Sequence, residues 1–159
     1  MNDEQLKDLA MAVGERLQHE GAQLALAESC TGGWIAKACT DVAGSAAWFA
    51  GGWVSYSNDA KQAMLGVDPL TLRENGAVSE PVVREMARGA QRLAGVAYAC
   101  AVSGIAGPTG GTDDKPVGLV WVAWAHGDVL VAERFQFGGA REQVRRRTVA
   151  AALEGLARV

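Results

Sequence analysis

The chain has 159 residues, 49% hydrophobic and 21% charged, which suits a single domain spanning residues 1–159 with one good core. Its 15 basic and 18 acidic side chains leave a net charge of −3. That balance argues against a general nucleic-acid binder but allows a local anion pocket. No apolar run approaches the ~20 residues that span a bilayer, so no membrane partner is expected. The N-terminus, MNDEQLKDLA, has no basic-then-apolar leader, and three cysteines (Cys30, Cys39, Cys100) in apolar segments suit reduced thiols; a cytoplasmic location is expected.

Leu6, Leu9, Ala10, Val13 and Leu17 recur at helical spacing, so a helix over 3–20 is predicted, stopped by Gly21. Leu24 to Ala27 reads as a short buried strand ended by Glu28-Ser29. Thr31-Gly32-Gly33 then opens a helix from Trp34 to Thr40. Ala47 to Tyr56 reads as a strand and Asp59 to Leu65 as a helix, followed by a helical turn over 69–75. Ser79-Glu80-Pro81 marks the start of a helix to Leu93, with Ser79 as the cap. Val96 to Val102 is the next strand. Leu119–Ala125 and Val129–Phe137 form an antiparallel pair turned at His126-Gly127-Asp128, and a helix over 141–158 closes the chain. Helices alternating with buried strands and ending in a hairpin predict an α/β protein, a three-layer α/β/α sandwich around a mixed, mostly parallel sheet.

Twenty glycines, about an eighth of the chain against a usual ~7%, cluster at a few turns. Three of the segments that follow strands carry possible chemistry. In Ala27-Glu28-Ser29-Cys30-Thr31-Gly32-Gly33 a hydroxyl sits at a strand-to-helix turn, facing the crevice where α/β proteins bind ligands. Free N–H groups from Cys30 to Gly33 can stabilise an oxyanion or hold a phosphate; equally, Ser29 or Thr31 can be a plain helix N-cap. In Ser55-Tyr56-Ser57-Asn58-Asp59-Ala60-Lys61, Lys61 is the natural base for a serine, if burial disfavours its charged form, and Tyr56 can relay or orient the proton. His19 and His126 read as solvated. In Ser103-Gly104-Ile105-Ala106-Gly107-Pro108-Thr109-Gly110-Gly111 a run of N–H groups can cradle an anion. The segment has neither the P-loop ending nor the Rossmann spacing. Arg141 and Arg145, four apart on one helix face, are the alternative grip for a phosphate. With no His-x-x-x-His pair and no Cys-x-x-Cys, neither a catalytic metal nor a cofactor is expected.

AESCTGG, GGWVSYSNDAKQAMLGV, ENGAVSE and SGIAGPTGGTDDKPVG, in that order, closely resemble the CinA C-terminal domain family over residues 5–155. The resemblance implies a nicotinamide-nucleotide amidohydrolase that deamidates nicotinamide mononucleotide to nicotinate mononucleotide and ammonia, in pyridine nucleotide recycling. It also implies a Ser/Lys mechanism, the family's motif serine, lysine and tyrosine falling on Ser29, Lys61 and Tyr56. Substrate contacts are then expected from Glu28, Cys30, Thr31, Gly32, Gly33, Ser103, Gly104, Gly107, Gly110, Gly111, Arg141 and Arg145. The chain departs from the family pattern at Gly139-Ala140-Arg141, where a polar residue is expected in place of Ala140. Two other readings are a non-catalytic nucleotide-binding module and an amidohydrolase for another pyridine nucleotide. Five tryptophans (34, 48, 53, 121, 124) fit either plain core packing or an apolar face for a homodimer or larger homo-oligomer, and the second is the expectation.

Overall fold

A computed structural model describes residues 1–159. The elements run α1 (Asp3–Glu20), β1 (Leu24–Glu28), α2 (Trp34–Thr40), a 3-10 turn (Ser45–Ala47), β2 (Phe49–Val54), α3 (Asn58–Leu65), α4 (Pro69–Asn75), α5 (Glu80–Ala94), β3 (Tyr98–Gly104), β4 (Leu119–His126), β5 (Val129–Gln136) and α6 (Arg141–Leu156). One sheet takes the order β2-β1-β3-β4-β5. β1 pairs in parallel with β2 and β3, while β4 is antiparallel to β3 and β5. The mixed three-layer sandwich expected from the alternation is the observed one.

The period-2 alternation of the strands gives the two sheet faces different characters. Leu24, Leu26, Cys100, Val102, Val120, Val122 and Trp124 face one core, shared with α1, α2 and α6. Ala25, Ala27, Ala99, Ala101, Ala123 and Ala125 face the other, against residues of α5 such as Val83, Met86, Ala87 and Ala90. A sheet face paved with alanine lets α5 approach closely. Gly89 extends this approach to α3, because a Cβ there would stand 2.2 Å from the Leu65 carbonyl oxygen. The helix that carries Lys61 is therefore packed backbone to backbone against α5.

Three local expectations change. The residues before Phe49 form a 3-10 turn and the fully buried Trp48 rather than strand, since the indole packs against Gly14 of α1. His126 is the last residue of β4, stacked on Tyr98 with ring centroids 3.9 Å apart, so the hairpin turn is Gly127-Asp128 alone. Ser79 occupies the N-cap position of α5 but does not cap it; its hydroxyl donates to the Gly76 carbonyl at 2.7 Å. The tryptophans are buried (48, 124) or half-buried (34, 53, 121), so they form no exposed aromatic face and that argument for self-association falls. No helix is long and apolar enough to cross a membrane.

Candidate active site

Parallel pairing brings three loops to one edge of the sheet. Glu28 lies beside Val54 on one side and Val102 on the other, so the chain leaves β2, β1 and β3 at the same level. Ser29, Ser55 and Ser103 are the first residues past that level, all buried. The Ser55 N–H donates to the Glu28 carbonyl at 2.9 Å, which fixes the second loop against the first.

Lys61 lies in the first turns of α3, which Ser57 caps by accepting from the Ala60 N–H. Its side chain is 1% exposed. Nζ stands 2.9 Å from Ser29 Oγ, 3.0 Å from the Ser55 carbonyl and 2.9 Å from the Tyr56 carbonyl. Burial pulls the Lys61 pKa below its usual value. In the neutral amine, the two N–H groups donate to the carbonyls and the lone pair is left to accept the Ser29 hydroxyl proton. Cys30, next in sequence, is no rival nucleophile, since burial pushes its thiol up to about 11.

The turn after Ser29 is held from two sides. The Gly32 N–H donates to the Ser29 carbonyl and the Trp34 N–H to the Thr31 carbonyl. Gly32 and Gly33 have φ of +60° and +97°, a left-handed pair that a side chain would strain. Arg145 donates from Nε to the Cys30 carbonyl at 3.0 Å and from an Nη to the Thr31 carbonyl at 3.1 Å. Its guanidinium lies 5.3 Å from the Trp34 ring centroid. With the carbonyls so engaged, the main-chain N–H groups of Ser29, Cys30, Thr31 and Gly33 have no acceptor within the protein. N–H groups left unbonded beside a nucleophile are available as donors to an oxyanion.

Neither Ser29 nor Thr31 is a plain N-cap. Gly33 holds the N-cap position of α2 without any side-chain bond, and the Thr31 hydroxyl donates to Glu28 at 2.6 Å. Glu28 itself, expected to face substrate, is 2% exposed and points the other way. Its carboxylate accepts from the Ile35 N–H at 2.9 Å and the Ala36 N–H at 3.0 Å. The reason is the strand period: Glu28 belongs to the face of Leu24 and Leu26, under α2, whereas Ser29 turns toward α3.

Other expected contacts take different places. The Tyr56 phenol is not between Ser29 and Lys61; the residue is exposed, and its hydroxyl lies 3.3 Å from Arg141. Arg141 also donates to the Gly107 carbonyl at 2.7 Å, joining the second loop to the third. Ser103 donates to the Ala77 carbonyl at 2.8 Å, and Lys115 to the Asn75 carbonyl, which ties the glycine-rich loop to the segment after α4. Gly104, Gly107 and Gly111 let that loop close on Leu119–Val120 and Val117; Gly110 has no such close neighbour. A cavity of about 380 Å³ lies on the α2 side of the serine turn, lined by Thr31, Gly32, Gly33, Trp34, Lys37 and Arg145 among others, but not by Ser29 or Lys61. No group of three or more His, Cys, Asp or Glu side chains is placed to hold a metal ion.

Sequence reasoning named Ser55 in the second segment without a role and Arg145 as a phosphate grip; it missed that the Ser55 carbonyl fixes the amine and that Arg145 is committed to the turn. The first follows from the pairing of β1 with β2, which the structure alone shows, and no local pattern pointed to the second.

Comparison with known proteins follows the same lines. The family model described as the CinA C-terminal domain matches residues 6–159. A Pseudomonas putida protein named nicotinamide-nucleotide amidohydrolase PncC is 55% identical over 148 residues, 93% of this chain and 92% of its own length. An Escherichia coli K12 protein of the same name is 52% identical over 158 residues, 98% of this chain and 95% of its own. The crystal structure of competence/damage inducible protein CihA from Agrobacterium tumefaciens superposes with a TM-score of 0.94 at 42% identity, covering 98% of this chain and 94% of that one.

Proposed function

This chain belongs to the CinA C-terminal domain family, and from that premise we propose that it is an amidohydrolase that deamidates nicotinamide mononucleotide to nicotinate mononucleotide and ammonia. The observation that carries the chemistry is the buried amine of Lys61 at 2.9 Å from Ser29 Oγ, with main-chain carbonyls as its other partners. Ser29 Oγ attacks the carboxamide carbon while its proton passes directly to neutral Lys61. The unbonded N–H groups at Cys30 and Thr31 receive the oxyanion. Lys61 then gives the proton to the departing nitrogen, which leaves as ammonia, and an acyl-enzyme remains on Ser29. Water attacks that ester, again giving its proton to Lys61, and nicotinate mononucleotide departs as Ser29 is reprotonated.

Tyr56 contributes its main-chain carbonyl to Lys61, and the direct Ser29–Lys61 contact makes a phenolic relay unnecessary. The glycine-rich loop from Ser103 to Gly111, with Arg141 bridging it to Tyr56, holds the 5′-phosphate; Arg145 is already spent on the serine turn. The reaction serves pyridine nucleotide recycling in the cytoplasm, and the domain acts as one unit over residues 1–159.

The test is ammonia release from nicotinamide mononucleotide by the purified protein and by Ser29→Ala, with a chelator present. Turnover that survives chelation and falls by roughly 10³-fold or more in the variant is expected. Near-normal turnover in Ser29→Ala would sink the mechanism. Saturable binding of the nucleotide without turnover by the unaltered protein would leave a binding module instead.

A further inference from the structure

Glu28 is a buried carboxylate one residue before the nucleophile, and no lysine or arginine neutralises it. A buried charge is costly unless it is fully hydrogen-bonded, and here one group takes three donors. Two of them are N–H groups of α2, seven and eight residues ahead in sequence. A nearer residue is the ordinary solution for capping a helix. This chain instead leaves Gly33 without a side-chain cap and bridges over the turn. The third donor, the Thr31 hydroxyl, lies within the turn itself.

The turn is thus gripped by the carboxylate through Thr31 Oγ1 and by Arg145 through the Cys30 and Thr31 carbonyls. Neither grip uses a main-chain N–H group of the turn. From this arrangement we infer that Glu28 is a positioning residue for the reaction: it locks the 29–33 turn so that Ser29 Oγ stays against Lys61 while the oxyanion donors remain unbonded. The inference rests on the amidohydrolase reading above and gives Glu28 a role other than substrate contact.

Glu28→Gln keeps the shape but turns one acceptor oxygen into an amide N–H₂, which opposes either the Ala36 N–H or, flipped, the Thr31 hydroxyl and Ile35 N–H. Thr31→Val removes only the grip on the turn and leaves the bonds to α2. With nicotinamide mononucleotide as substrate, Glu28→Gln is expected to lower kcat by about 10- to 100-fold, the scale of an ångström-sized misplacement, with KM within about threefold. Thr31→Val is expected to lower kcat in the same sense and less. Folding is checked by thermal melting of each variant. A folded Glu28→Gln with unchanged kcat, or one whose loss lies in KM, overturns the inference. If that variant does not fold, Thr31→Val decides: unchanged kcat overturns it and a kcat loss at unchanged KM supports it.

A second readout separates this inference from the substrate assignment. A fluorophosphonate probe is attacked at phosphorus by Ser29 Oγ, fluoride leaves, and the serine proton passes to Lys61. If the unaltered protein fails to turn over the nucleotide but labels at Ser29, the substrate reading fails alone. Slower labelling in Glu28→Gln and Thr31→Val then supports the positioning role, and equal labelling overturns it. An unaltered protein that neither turns over nor labels overturns both.

Discussion

Lys61 Nζ lies 2.9 Å from Ser29 Oγ, and its two other partners are the main-chain carbonyls of Ser55 and Tyr56. A lysine held this way has no carboxylate to stabilise its charge, so desolvation alone sets the direction of its pKa, which is down. That direction makes the amine available as a base at a pH where an exposed lysine is fully protonated.

Activity should therefore rise with pH as Lys61 deprotonates, reaching its plateau below the ordinary lysine pKa of about 10.4. Lys61→Arg, which keeps the charge and cannot act as a base, should be inactive across the range. A kcat/KM profile from pH 6 to 10 checks both. Stability carries the same sign. Between the folded and unfolded pKa values the unfolded chain binds more protons at this site, so raising pH favours the fold. Compared with Lys61→Met, the unaltered protein should gain unfolding free energy as pH rises toward about 10.4. Parallel chemical-denaturation curves at several pH values would show no such trend if the amine were solvated.

Arg145 places two charged donors on the carbonyls of the serine turn and its plane near Trp34. Arg145→Ala should cost about 1–3 kcal/mol of unfolding free energy through those lost bonds. It should also lower kcat, because the turn loses one of its two grips. Arg145→Lys keeps the charge without the planar fork, so it should recover less than half of the kcat loss. Denaturation and ammonia release on the same preparations test this, and full recovery by lysine would show that only the charge mattered.

Gly89 sets the approach of α5 to α3. In an exposed helix, Gly→Ala would gain about 1 kcal/mol. Here the new Cβ would stand 2.2 Å from the Leu65 carbonyl oxygen, a backbone atom that cannot swing aside. Overpacking of this kind costs about 1–3 kcal/mol, so the clash wins. Gly89→Ala should be destabilised and should also lose activity, since the displaced helix carries Lys61. A more stable variant would contradict the close packing.

Ala140 is the N-cap residue of α6, with extended backbone and no side-chain oxygen to offer. The Gln143 side chain accepts from the Ala140 N–H at 2.8 Å, so half of a capping box is already present. Ala140→Asp should complete it and raise stability by about 0.5–2 kcal/mol. Nucleotide turnover should change little unless the Arg141 bridge is disturbed. Thermal unfolding at low and high salt measures the gain.

Most of this protein's architecture could be read from its sequence because the relevant signals are local. LALAE and YACAVSG carry short continuous apolar runs of buried-strand length, glycines stop α1, α3 and α5, and the loops after strands hold the hydroxyls and the lysine. Ser29, Lys61 and the 29–33 turn stood out for the same reason: each belongs to a short segment at a strand-to-helix junction. What those segments do was decided by tertiary structure. Parallel pairing set the β1, β2 and β3 ends level and brought Lys61 to Ser29 across 32 residues. One step of the strand pleat sent Glu28 beneath α2 and Ser29 toward α3, separating two neighbours that read as one motif. The distant α6 then placed Arg145 on the serine turn and Arg141 between Tyr56 and Gly107. A side chain's residue type and spacing carry its chemistry, but its partner depends on strand register and helix packing, which join residues the local sequence holds far apart.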